Sequence, residues 1–257
     1  MYQIKAEGNP WFVRPNPSRN AKLRLFCFSH AGGAASAYHA WQAALDDVEV
    51  WAVQLPGREA RVQEPLISDL QFLAQKITDA TTDHLNKPFI FLGHSMGAVV
   101  AYETARELNR RGLPLPLHLY VSGRPAPHLP PVDPPLHDLP DAELLFELKR
   151  RFDGLPKVIL AEPDLLALFL PILRSDLKMM ETHQFLDQPR LSVSLSAYCG
   201  QDDRIMNPAN LAAWADLTSG VFHHRQLPGG HFYLHDNRRE FLSFFSGELD
   251  DYLNRLS

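Results

Sequence analysis

Cysteine is scarce: two residues in 257, Cys27 and Cys199, are too few for a disulfide scaffold. Each sits inside an apolar run, so both read as buried free thiols of a reducing compartment. Basic runs are also missing. The formal charge is −5, and no stripe of Lys and Arg is available to neutralise phosphates, which excludes nucleic acid as a main partner. No apolar stretch reaches the length of a membrane span, and the start Met1-Tyr2-Gln3-Ile4-Lys5 lacks the apolar core of a leader. There is no internal repeat. The expectation is a soluble, cytoplasmic protein without membrane contact. What the chain does have is core material. Hydrophobic residues make up 45%, with 15 Phe and 4 Trp, which suits one large domain or one domain with an insertion.

Residues up to about Asn20 are polar and marked by Pro10, Pro15 and Pro17, around one short strand-like segment, Trp11-Phe12-Val13. From Lys22 a rhythm sets in. Apolar strands over 22–28, 48–53, 88–94 and 117–123 alternate with helices over 38–45, 67–85 (N-capped by Ser68) and 96–111, the last stopped by Gly112. Strands apolar on both faces in a β-α-β order imply a mostly parallel sheet with helices on both faces. Between 124 and 188 the rhythm breaks. A proline-rich run leads into helical stretches over 142–151 and 165–185, broken by Gly154, Pro156 and Pro163, with no strand between them. This segment is expected to be a helical lid inserted in a single domain, over the C-terminal edge of the sheet. Strands over 191–199 and 221–227, a helix containing Leu211 and Trp214, and a closing helix over 238–256 complete the pattern.

The chemistry-bearing stretch is Gly93-His94-Ser95-Met96-Gly97, between an apolar strand and an Ala-rich helix. Strand, sharp turn and helix with a serine at the turn reads as a nucleophile elbow. The glycines are needed because side chains there would collide with the neighbouring strand and helix. The serine hydroxyl is thereby held clear of the sheet, at a helix N-terminus that favours developing negative charge. A serine alkoxide is unavailable at neutral pH, so a base oriented by a carboxylate is required. On this architecture the partners follow in the order Ser, acid, His. The chain supplies Ser95, then Asp202-Asp203, then His231 directly after Gly229-Gly230. His223 and His224 lie in a strand, where one would point into a wall. His235 reads as a surface residue in the first turn of the closing helix, and His30 and His94 as loop-positioning residues. For the acid, Asp202 and Asp203 both remain candidates. The oxyanion donors are expected to be the N–H groups of Met96 and of Ala31, in the loop Ser29-His30-Ala31-Gly32-Gly33.

With these residues the chain resembles the type II thioesterases that accompany non-ribosomal peptide and polyketide synthases, α/β-hydrolases also similar to a medium-chain thioesterase of fatty-acid synthesis. The matching motifs are Phe28-Ser29-His30-Ala31-Gly32-Gly33, Gln54-Leu55-Pro56-Gly57-Arg58, the elbow, Gly200-Gln201-Asp202-Asp203 with Trp214, and Pro228-Gly229-Gly230-His231-Phe232, spanning nearly the whole chain. Ser29 stands where the family usually has Pro. Asp203-Arg204-Ile205-Met206 stands in the register of its Asp-Pro-x-Val before the helix carrying Trp214, so the resemblance favours Asp203 as the acid, with Asp202 left as the alternative. The resemblance implies hydrolysis of acyl groups from the 4′-phosphopantetheine thiol of acyl or peptidyl carrier proteins, without metal or cofactor of its own, by a monomer acting in trans. Arg124, Lys149, Arg150 and Arg151 near the lid could meet an acidic carrier helix, the alternative being an ordinary solvated face. Rival readings are a lipase or carboxylesterase, a medium-chain acyl-carrier thioesterase, an acyl transferase or cyclising release enzyme, and a non-catalytic binding protein on the same fold.

Overall fold

The alternation of side chains along two central strands decides the architecture. In β2 (Leu23–Phe28) and β4 (Phe89–His94), Phe26, Phe28, Phe89 and Phe91 enter one apolar cluster, while Leu23, Leu25, Cys27, Ile90 and Leu92 enter another. A strand whose successive residues are buried on opposite faces must be covered on both sides. The computed structural model, which describes residues 9–18, 20–152 and 157–256, shows such a sheet. Its seven strands add β1 (Phe12–Val13), β3 (Val48–Val53), β5 (His118–Ser122), β6 (Ser194–Gly200) and β7 (Phe222–Leu227), in the order β1-β3-β2-β4-β5-β6-β7. Only β1 is antiparallel, pairing Phe12 with Val53. The first eight residues of the lead-in lie outside the described residues, as do the expected breaks at Gly154 and Pro156.

Helices α1 (Leu70–Thr81) and α2 (Met96–Arg110) cover one face, with Leu73, Ile77 and Val99 in the first cluster. A 3₁₀ segment (Ala35–Ala44) and the closing helix, numbered α8 (Arg238–Arg255), cover the other through Tyr38, Trp41 and Phe245. Between β5 and β6 run α3 (Asp141–Phe152), α4 (Lys157–Ala161) and α5 (Pro163–Thr182). α3 and α5 share a small core of their own, built on Leu144, Leu148, Leu170 and Leu173. Two short helices, α6 (Pro208–Ala212) and α7 (Tyr233–Asp236), follow β6 and β7.

Several local expectations are corrected. The cap of α1 is Asp69, not Ser68: its carboxylate accepts the Phe72 N–H at 2.7 Å. Pro163 opens α5 rather than merely breaking a helix, because the first helical position has no use for the missing N–H. Trp214 lies in a 3₁₀ turn after α6 rather than within one helix. Neither His223 nor His224 meets a wall: β7 is an edge strand and both are exposed. Among the described residues no helix is long and apolar enough to cross a membrane.

Candidate active site

Chain reversal at the end of β4 sets the site. Ser95 adopts φ 54° and ψ −117°, a left-handed conformation that costs a non-glycine residue on the order of 1–3 kcal/mol. Its N–H donates to the Ser122 carbonyl on β5 at 2.7 Å, which helps hold it there. The turn closes because its flanking residues lack side chains. A Cβ on Gly93 would lie 2.1 Å from the Gly97 carbonyl oxygen, and one on Gly97 would lie 2.1 Å from that of Phe28. Helix α2 starts at the next residue, so its N-terminus faces the serine.

His231 follows β7 in a loop where Gly229 takes φ 114°. That turn carries the imidazole back over Ser95. Nε2 lies 3.1 Å from Ser95 Oγ, and Nδ1 lies 2.9 Å from Asp203 Oδ2. The carboxylate accepts a hydrogen bond from Nδ1–H, which leaves Nε2 free to accept from the hydroxyl. The other Asp203 oxygen accepts the Ile205 N–H at 3.2 Å. All three side chains are buried. Asp202, the alternative acid, is exposed, and its backbone N–H is bonded to the Gly229 carbonyl.

The loop after β2 approaches from the opposite side. Gly32 N–H donates to Asp176 Oδ2, and Gly33 N–H to the His30 carbonyl. Among the described residues, the N–H groups of Ala31 and Met96 have no hydrogen-bond partner. Both residues line, with Ser95 and His231, a cavity of about 500 Å³. Much of its remaining wall comes from the segment between β5 and β6, including Pro127, Leu148, Phe152 and Met180. The Phe152 ring lies 5.2 Å from that of His231, edge to face.

Three further imidazoles surround the site. His94 is fully buried, and its Nδ1 lies 3.0 Å from Ser122 Oγ, which in turn meets the Tyr233 hydroxyl at 2.8 Å. Burial, reinforced by the charge His231 would carry, pushes the His94 pKa well below its usual value. Burial likewise lowers His30 to about 3 and His235 to about 4. His235 is therefore no surface residue. It sits in α7 with its ring 5.4 Å from that of His30. Neutral neighbours leave an imidazolium forming on His231 without adjacent cationic rings.

The basic residues expected to meet a carrier do not form one open face. Arg124 lines the cavity, and Arg151 is only 9% exposed, donating to Glu147 and to the Pro134 carbonyl. Arg150 donates to Glu147 at 2.7 Å. Spacing of three and four residues on α3 brings these partners together and spends the charge within the helix. The roles of Gly200, Phe152 and Asp176 escaped the sequence reading, since each depends on a distant segment. Among the described residues no group of three or more His, Cys, Asp or Glu is placed to hold a metal ion.

Residues 23–249 match the thioesterase domain family. The chain is 38% identical over 257 residues to "Linear gramicidin dehydrogenase LgrE" of Brevibacillus parabrevis, covering 98% of this chain and 97% of that one. It is 39% identical over 248 residues to "Thioesterase PikA5" of Streptomyces venezuelae, covering 96% and 88%. Among solved structures, the type II thioesterase BorB from the borrelidin biosynthetic cluster superposes with a TM-score of 0.85 at 34% identity, covering 94% and 98%.

Proposed function

The chain belongs to the thioesterase family and is an α/β-hydrolase, and from that premise we propose that it strips acyl groups from the 4′-phosphopantetheine thiol of carrier proteins serving non-ribosomal peptide or polyketide synthesis. Ser95 Oγ attacks the thioester carbonyl as His231 Nε2 takes its proton, and Asp203 holds the imidazole and balances its charge. The oxygen that becomes negative is received by the N–H groups of Met96 and Ala31. The pantetheine thiolate then leaves, accepting the proton from His231. A water molecule deprotonated by the same nitrogen then adds to the acyl carbonyl, and the proton returns to Ser95 Oγ as the acid is released. A thiolate leaves readily, so the site needs less leaving-group protonation than an amidase would.

The observation that carries this reading is the run of two hydrogen bonds, Asp203 to His231 to Ser95, at the wall of a cavity wide enough for an acyl chain. Residues 124–188 act as a lid in this scheme. What supports that is the contact of Phe152 with His231 and the share of the cavity wall the segment supplies.

The test is a comparison of acyl-carrier and acyl-pantetheine thioesters with a matched oxygen ester, together with fluorophosphonate labelling. Labelling of the wild type but not of Ser95→Ala, with thioesters preferred, is the expected result. A strong preference for the oxygen ester would replace this reading with a carboxylesterase, and absence of labelling would remove the nucleophile.

A further inference from the structure

A deeply buried ion pair lies outside the catalytic residues. Arg58, 5% exposed, ends the Gln54-Leu55-Pro56-Gly57-Arg58 turn after β3, and Asp176, 1% exposed, projects from α5. They meet as a two-pronged pair, Nη1 to Oδ2 at 2.7 Å and Nη2 to Oδ1 at 2.8 Å. Each also grips the loop after β2. Asp176 Oδ2 accepts the Gly32 N–H at 2.7 Å, and Arg58 Nη1 donates to the Gly33 carbonyl at 3.0 Å. A third contact comes from α5 itself. Phe169 packs on Gly32 so closely that a Cβ there, at φ +74°, would lie 2.4 Å from its Cζ.

An ion pair this buried adds little net stability over an apolar pair of the same shape. An apolar pair, however, would leave the Gly32 N–H and the Gly33 carbonyl without these partners, and with them the geometry of the loop. The residue directly before the gripped pair is Ala31, whose amide is free.

We propose that Arg58 and Asp176 are positioning residues for the oxyanion site, fixing the Ala31 amide by clamping its loop to α5. The inference rests on Ser95 being the nucleophile and Ala31 one of the two donors. It adds that the donor geometry is set from the inserted helices, so that moving α5 moves the Ala31 N–H with it.

The test measures steady-state hydrolysis of butyryl-pantetheine and inhibition by an alkyl trifluoromethyl ketone, whose serine adduct carries an oxyanion in the same place. Asp176→Asn is compared with the double variant Arg58→Met with Asp176→Leu, which leaves no unpaired buried charge and keeps the fold testable by its melting curve. In both, kcat is expected to fall about tenfold or more with KM within about twofold, since a displaced donor acts on the transition state alone. Affinity for the ketone should fall by the same factor as kcat/KM, and the pH dependence of kcat/KM should keep its position because His231 and Asp203 are untouched. A folded double variant with wild-type kcat, or a loss carried by KM, or a fall in kcat without weaker ketone binding, would overturn the positioning role. A wild-type protein that neither hydrolyses the thioester nor binds the ketone would instead overturn the assignment of Ser95, and this inference with it.

Discussion

The carboxylate of Asp203 and the imidazole of His231 meet at 2.9 Å although 28 residues separate them. Two parallel strands and the loops they release account for this. Gly200 at the end of β6 is in register with Leu227 at the end of β7. The pairing continues past the strands: Gln201 N–H donates to the Leu227 carbonyl at 2.8 Å and Asp202 N–H to that of Gly229 at 3.0 Å. Asp203 and His231 therefore leave the sheet already stitched together: the Asp202 N–H bonds the Gly229 carbonyl with its side chain exposed, while the Asp203 carboxylate meets the ring.

Replacing Asp203 should therefore be far more harmful than replacing Asp202. In Asp203→Ala kcat on a short acyl-pantetheine is expected to fall by ~10³–10⁴-fold, because the wrong imidazole tautomer then competes. Asp202→Ala should stay within about threefold, as the group it removes touches no reacting atom. The reverse order of losses would reassign the acid.

Ser95→Ala and His231→Ala should each lower kcat by about 10⁵-fold, since the three groups act as a unit. Ser95 also separates activity from stability. At φ 54° a glycine is at ease where alanine is strained. Ser95→Gly should thus melt above Ser95→Ala, by a difference of about 1 kcal/mol. Equal melting temperatures for the two inactive variants would show that the turn stores no strain.

Gly200 is predicted to be intolerant of even a methyl group. A Cβ there would lie 2.2 Å from the Gly230 carbonyl oxygen and 2.3 Å from that of Gly229, both backbone atoms that cannot swing away. Gly200→Ala should push the histidine loop off the acid loop, lowering kcat/KM by about tenfold or more as the hydrogen-bond geometry loosens. A crystal structure or pH profile indistinguishable from wild type would count against the prediction.

Acid should destabilise the protein through its buried histidines. Desolvation holds His30 and His118 near 3 and His235 near 4, from an ordinary value of 6.5. Below about pH 6.5 the unfolded chain takes up protons that the folded one refuses. The stability is thus fully present above pH 6.5 and declines as pH falls towards the folded values, by up to ~1.4 kcal/mol per pH unit for each such histidine. Urea midpoints should drop between pH 7.5 and pH 5.5. Replacing His118, which is remote from Ser95, by glutamine should make that slope shallower, whereas an unchanged slope would mean that His118 is not the group refusing the proton.

Much of the fold was legible because its signals are local. Apolar runs of strand length, glycines where the chain must pass within contact distance, and a serine between strand and helix each carry their meaning within a few neighbours. Where the sequence reading went astray, the decisive partner was remote. His223 and His224 look like wall residues until β7 is seen to be the sheet edge. His235 looks superficial until α7 folds it against His30. Arg124 and Arg151 look like free surface charge until one lines the cavity and the other is paired with Glu147.

The order of strands and helices, the turn at Ser95 and the glycines that permit it were determined by the sequence alone, because backbone sterics and side-chain periodicity act over a few residues. Which aspartate faces His231, which amides are left free beside Ser95, and how Arg58 reaches Asp176 across 118 residues were decided only by the tertiary structure. Hydrogen bonds are satisfied in three dimensions, and a buried donor takes whichever acceptor the packed sheet and the inserted helices bring within reach.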